Sequence, residues 1–90
     1  MKTRVAVLAI IIEEQNSVEE LNAILHSVNE YVIGRMGIPY RARGISIMSI
    51  AIDAPQDIIS ALAGKIGNLD GISVKIAYSQ VFGNEAEQNG

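Results

Sequence analysis

The chain has no cysteine, which excludes a disulfide framework, a thiolate metal site and a thiol nucleophile. His26 is its one imidazole, so no histidine cluster forms within a single chain, and no carboxylate or nucleophile stands at a spacing that would make His26 a catalytic base. Excess positive charge is missing too. Seven basic residues against ten acidic ones give a net charge of −3, the wrong sign for a direct nucleic-acid binder. No apolar run is long enough to cross a bilayer. Residues 5–12 follow Lys2 and Arg4 in the manner of a signal peptide, yet they run into Glu13 and Glu14 with no small-residue cleavage pattern. They read as a buried strand of a cytoplasmic protein without membrane contact.

Two further groups carry less chemistry than they suggest. Gly64 and Gly67 lack Walker spacing and fall where a helix should end, and there the dipole repels anions. They read as close packing followed by a left-handed cap at Gly67. Glu13, Glu14, Glu19 and Glu20 gather where a helix should begin, as the dipole favours, so no metal and no cofactor are expected. Catalytic residues are expected to be absent.

What is present is apolar: 49% of residues are hydrophobic and 19% charged, the balance of a globular domain. Residues 1–82 read as one domain and the polar stretch 83–90, with Glu85 and Glu87, as a disordered tail. A core of this size is only marginally stabilising, and oligomerisation is a common remedy.

Residues 5–12 and 45–52 are apolar on both faces, whereas 72–78 alternates large apolar with small or charged residues. Ser17 and Glu20 have the spacing of a capping box, and Val18, Leu21, Leu25, Val28 and Val32 then give one helical stripe with Ile24 beside it. His26 lies at the edge of that stripe, on the surface. Residues 34–43 resume a period of two, and Pro39 makes this an edge strand. Gly44 turns the chain into the next strand. Pro55 suits the first turn of a second helix, with Asp53 near its positive end and Ile58, Ile59, Leu62 and Ile66 as its buried face. Asp70 and Gly71 mark the last turn. The order β-α-β-β-α-β predicts a ferredoxin-like α+β sandwich: an antiparallel sheet of order 4-1-3-2 with both helices on one face. The doubly apolar strands are the two that this topology puts in the centre.

Two helices cover one sheet face, and the other needs a cover of its own. That predicts a homo-oligomer, dimer or tetramer, assembled through Val5, Val7, Ala9, Ile45 and Ile47. Regular alternation would put Arg35, Pro39, Arg41 and Arg43 on this open face, with Lys75 facing the same way from the opposite edge, and Met36, Ile38, Tyr40 and Ala42 on the other. The arginines then either blunt the edge or form a cationic rim. In the second case Arg35, Pro39, Tyr40, Arg41 and Arg43 are the candidate site for a small anionic ligand or an acidic partner.

Residues 35–41 (RMGIPYR) and 61–67 (ALAGKIG), followed by Leu69, Gly71, Ile72, Val74 and Lys75, resemble the iron-only hydrogenase system regulator family. The resemblance runs from Arg4 to about Tyr78. It implies a regulator associated with the maturation of iron-only hydrogenases, with a partner from that system, and a fold similar to ACT-like domains and to the carboxy-terminal domain of nickel-responsive repressors. Two departures narrow this. Gly37, Pro39 and Ile45 stand in the region where the nickel-responsive domains place histidines and a cysteine, so nickel sensing is not expected. The loop 13–17 has no glycine of the kind that amino-acid-binding ACT domains carry, so a backbone approach to such a ligand is not expected there. No DNA-binding helical motif precedes the domain, so a transcriptional effect would need a partner.

Three classes of function follow. A regulatory oligomer that binds a small ligand or a protein fits the apolar face and the resemblance. A purely structural oligomerisation module fits the apolar face equally well. An enzyme would need residues shared across an interface.

Overall fold

The β-branched runs expected to be strands are strands. The computed structural model describes residues 2–82, and the tail 83–90 lies outside the described residues. The elements run β1 (Arg4–Ile12), α1 (Val18–Ser27), β2 (Val32–Tyr40), β3 (Ile45–Ala54), α2 (Gln56–Gly67) and β4 (Ile72–Phe82). All sheet pairings are antiparallel, and the order is β2-β3-β1-β4, which is the expected 4-1-3-2 read from the other edge.

Parity along β1 and β3 sorts the sheet into two faces. Leu8, Ile10, Ile50 and Ile52 are fully buried and pack with Leu21 and Leu25 of α1 and Ile59, Leu62 and Ile66 of α2. Directly opposite residues share a face. The pairs Leu8↔Ile50 and Leu8↔Ile76 therefore carry the core across three strands. Each such side chain contributes roughly 1.5–3 kcal/mol by leaving water. The alternate set, Val5, Val7, Ala9, Ile45 and Ile47, faces the other way, as expected.

Several local expectations give way to tertiary contacts. Ser17 does not close a capping box. A 3-10 turn over Gln15–Ser17 precedes α1, Ser17 is itself helical (φ −87°, ψ −7°), and its hydroxyl donates to the Asp70 carbonyl at 2.8 Å. The bond ties the head of α1 to the loop before β4. α1 also ends earlier than its apolar period suggests. The Ser27 hydroxyl donates back to the Ile24 carbonyl at 2.6 Å, and a 3-10 turn over Asn29–Tyr31 delivers Val32 as the first residue of β2, not as part of the helix.

Gly67 stays inside α2, and Asn68 caps the helix in a right-handed conformation. The space at Gly67 serves packing: a Cβ there would sit 3.6 Å from a Val74 methyl. The left-handed residue is Gly71, at φ 69°. Pro55 is the N-cap, one position ahead of the helix, Asp53 belongs to β3, and Asp57 occupies the first turn of α2. β4 runs on to Phe82, past a register shift that carries it from Tyr78, opposite Ala6, to Phe82, opposite Arg4.

Gly71 also meets β1's exit closely. Its carbonyl accepts from the Glu13 N–H at 2.7 Å, and an added Cβ would run into the Glu14 Cβ and lie 2.9 Å from its amide nitrogen. In urea titration, Leu25→Ala and Leu62→Ala should each lose about 2–5 kcal/mol, and His26→Ala less than about 0.5 kcal/mol. Gly71→Ala should lose more than about 1 kcal/mol, since strain and collision act together.

Candidate functional site

One extra residue decides which side chains reach the open face. β2 pairs Val32 with Ile52, then Gly34 with Ala51, so Ile33 is the additional residue of a bulge. Val32 joins the core, and without the bulge Met36, Ile38 and Tyr40 would follow it. The shift inverts their parity. Met36 pairs with Ser49, Ile38 with Ile47 and Tyr40 with Ile45, all on the open face. Arg35 pairs with Ile50 and Pro39 with Ser46, on the helix side.

The expected arginine rim is thus corrected. Arg35 lies beside α1, where its Nη2 donates to Asn22 Oδ1 at 3.3 Å and approaches Met48 Sδ at 3.8 Å. Arg41 and Arg43 are not in a strand at all. They form a 3-10 turn that Gly44 closes at φ 68° with its N–H on the Arg41 carbonyl at 3.2 Å. Regular alternation, on which the rim depended, fails at both ends of β2. Of the candidate binding residues Tyr40 alone faces outward from the sheet, with Lys75 on the same face across from Ala9.

The open face is consequently more apolar than the sequence suggested. One row across it reads Ile38, Ile47, Ile11 and Ser73, and the next Met36, Ser49, Ala9 and Lys75. Met36 is 57% exposed, Tyr40 48%, Ile38 46% and Val7 40%. The third row, Gly34, Ala51, Val7 and Ala77, is small. A shallow trough of about 240 Å³ opens there, lined by Val7, Gly34, Arg35, Met36, Ser49 and Ala51. Asp53, opposite Val5, is the anion at the end of this face.

A second concavity lies on the helix side, at the corner where the β2–β3 hairpin meets the turn before α1. It measures about 370 Å³ and is lined by Gln15, Pro39, Arg41, Gly44, Ile45 and Ser46. Gln15 Nε2 donates to Ser46 Oγ at 3.5 Å across it. An adjoining recess of about 150 Å³ shares Gln15, Pro39 and Ser46 and continues to Ile12, Val18, Gly37, Ile38, Ile47 and Met48. Pro39 and Arg41, two of the candidate binding residues, are thus brought together, away from the open face. Gln15 and Ser46 were missed, since nothing in their spacing marks them as neighbours.

At the opposite end, Arg4 Nη1 donates to Gln56 Oε1 at 2.8 Å and its guanidinium stacks 4.1 Å from the Tyr78 ring centroid. Gln56 Nε2 donates to Tyr78 Oη at 2.8 Å and to Ser60 Oγ at 3.1 Å. This network joins β1, α2 and β4 and acts as a latch. Among the described residues no three His, Cys, Asp or Glu side chains gather as a metal site.

A family model named TM1266-like, described as "Iron-only hydrogenase system regulator, putative", matches residues 4–76. The chain belongs to this TM1266-like family. Among solved structures it is similar to the uncharacterized protein TM1266 from Thermotoga maritima, with a TM-score of 0.83 and 28% identity over 87% of this chain and 99% of that one. A formyltetrahydrofolate deformylase from Pseudomonas putida KT2440 superposes with a TM-score of 0.60 at 14% identity, over 81% of this chain but 28% of the deformylase. An unknown protein from Galdieria sulphuraria gives 0.59 at 14%, over 88% and 46%. The chain spans well under two thirds of these last two, which share its fold alone. No curated protein matches it. The ferredoxin-like, ACT-like architecture of this TM1266-like chain is therefore the common element.

Arg41 and Arg43 are exposed in their turn, so Arg41→Gln and Arg43→Gln should each change stability by less than about 0.5 kcal/mol and leave the far-UV circular dichroism unaltered.

Proposed function

We propose that this TM1266-like protein is a non-catalytic, cytoplasmic regulatory domain of an iron-only hydrogenase system. It works as a homo-oligomer built through the open sheet face, and it answers to a small anionic ligand or to a protein of that system. The observation that carries the reading is the face itself. Met36, Ile38, Tyr40, Val5, Val7 and Ile47 are large apolar side chains more than a third exposed, on adjacent strands.

Area supports a second copy as the cover. Four strands about 4.8 Å apart, each nine or so residues long, make a face of about 600 Å². That is at the upper end of what monomers leave open. Two such faces together bury about 1,200 Å², at the lower bound of specific, stable interfaces. A two-fold pairing uses the same patch on both copies, so the rows of Ile38 and Met36 can seat against the small third row of the partner without any new surface.

Sedimentation equilibrium at micromolar concentration should find a dimer or a dimer of dimers, and Ile38→Asp should return a folded monomer. Because the native chain has no cysteine, single thiols report the two faces cleanly. In the oligomer, Met36→Cys should react with a thiol reagent at least about tenfold more slowly than Arg35→Cys. A wild-type monomer, or equal reactivity at the two positions, overturns the assembly.

A further inference from the structure

We propose that the corner between the turn before α1 and the β2–β3 hairpin is a binding site for a small amphipathic organic acid, a carboxylate with a short apolar body. The outer hollow, at about 370 Å³, lies within the range of small-molecule sites. Its polar groups are all able to donate: the Arg41 guanidinium, the Gln15 amide and the Ser46 hydroxyl. Among the described residues no carboxylate lines either hollow. Glu14, next to Gln15 in sequence, is turned away, its Oε1 accepting from the Asn16 N–H at 3.3 Å. One guanidinium and two neutral donors suit a single negative charge, since charge-assisted bonds of this kind are about twice as strong as neutral ones.

The inner recess supplies the other half of the specificity. Its additional walls besides Gly37 are Ile12, Val18, Ile38, Ile47 and Met48, all apolar, and it exists because Gly37 has no side chain on the helix side. A Cβ at Gly37 would meet nothing within 4 Å. Its backbone has no positive φ either, so no turn or close approach requires glycine there. Charge at the mouth and an apolar recess behind it describe a ligand with a carboxylate head and a short hydrocarbon body.

The site deepens the regulatory reading and rests on it for its consequence in the cell. Straight-chain carboxylates from acetate to octanoate, with the matching primary alcohols as controls, are titrated calorimetrically into the full chain. Carboxylates should bind saturably and tighten by up to about fourfold per methylene until the recess is filled. The alcohols should bind at least about tenfold more weakly. Arg41→Gln should reduce the acids to the level of the alcohols. Gly37→Leu should abolish the gain with chain length without lowering Tm, and Gly37→Val gives the same check should the leucine variant fail to fold. Absence of saturable binding by every acid overturns the site, as does a chain-length gain that survives the filling of the recess. Sedimentation of the same preparations reads assembly separately, so the ligand site and the oligomer can each fail alone.

Discussion

The architecture depends on the ladder between β1 and β3. Leu8 opposite Ile50 and Ile10 opposite Met48 place large side chains toward the helices, and the residues between them, Val7, Ala9, Ile47 and Ser49, have no choice but the other side. With both helices on one face, the same pairing that builds the core also presents an apolar surface to whatever lies beneath. The period of two makes burial of one set and display of the other a single event. A strand buried on one face needs polar residues on its second, and here Ser49, Lys75 and Asp53 are too few to supply them.

β2 adds to that surface because of Ile33. Bulges insert one residue and invert the parity of everything beyond it. In β2 the inversion removes Arg35 and Pro39 from the open face and substitutes Met36, Ile38 and Tyr40. Desolvating Arg35 against an apolar sheet would cost far more than its present position beside Asn22, where the guanidinium stays in water. The bulge therefore resolves a conflict between an apolar face and a basic strand, and beyond it the helix side of β2 is left open, with Arg35, Gly37 and Pro39 upon it.

The fold was legible because its evidence is periodic. Strand order, the buried faces of both helices, the edge position of the Pro39 strand and the turns at Gly44 and Gly71 follow from alternation, from helical spacing and from the few residues that tolerate special backbone angles. The shared face of Val5, Val7, Ala9, Ile45 and Ile47, away from the helices, followed from the same alternation. What failed was local chemistry overruled by a distant contact. Ser17 has the sequence of a cap, but the Asp70 carbonyl claims its hydroxyl. Gly67 has the position of a terminator, but Val74 uses its space and Gly71 makes the turn. The arginine rim failed for a related reason, since parity can be counted forward only until a bulge. An isolated glycine in a strand pattern is a known mark of one, and Gly34 beside Ile33 was that mark. The corner hollow was less legible still. Gln15 and Ser46 are 31 residues apart and meet only because β1 delivers the loop after it to the end of β3 where the hairpin returns.

The hairpin joins the two surfaces. Gly37, Pro39 and Ser46 line the corner from the helix side, and Ile38, Ile45 and Ile47, which also border its hollows, share the open face with Tyr40. In the proposed assembly, backbone adjustments that seat a ligand against Pro39 and Ser46 would be felt by Tyr40 and Ile45, which lie between them and face the open side. Linkage then requires reciprocity: if assembly changes ligand affinity by some factor, the ligand changes assembly by the same factor, typically about 5- to 150-fold where coupling is appreciable. A purely structural module would show no such factor, because it has nothing on the far side of the hairpin to couple. Shared strands with opposed faces would thus be the physical means by which the proposed ligand site and the proposed assembly are coupled through one set of residues.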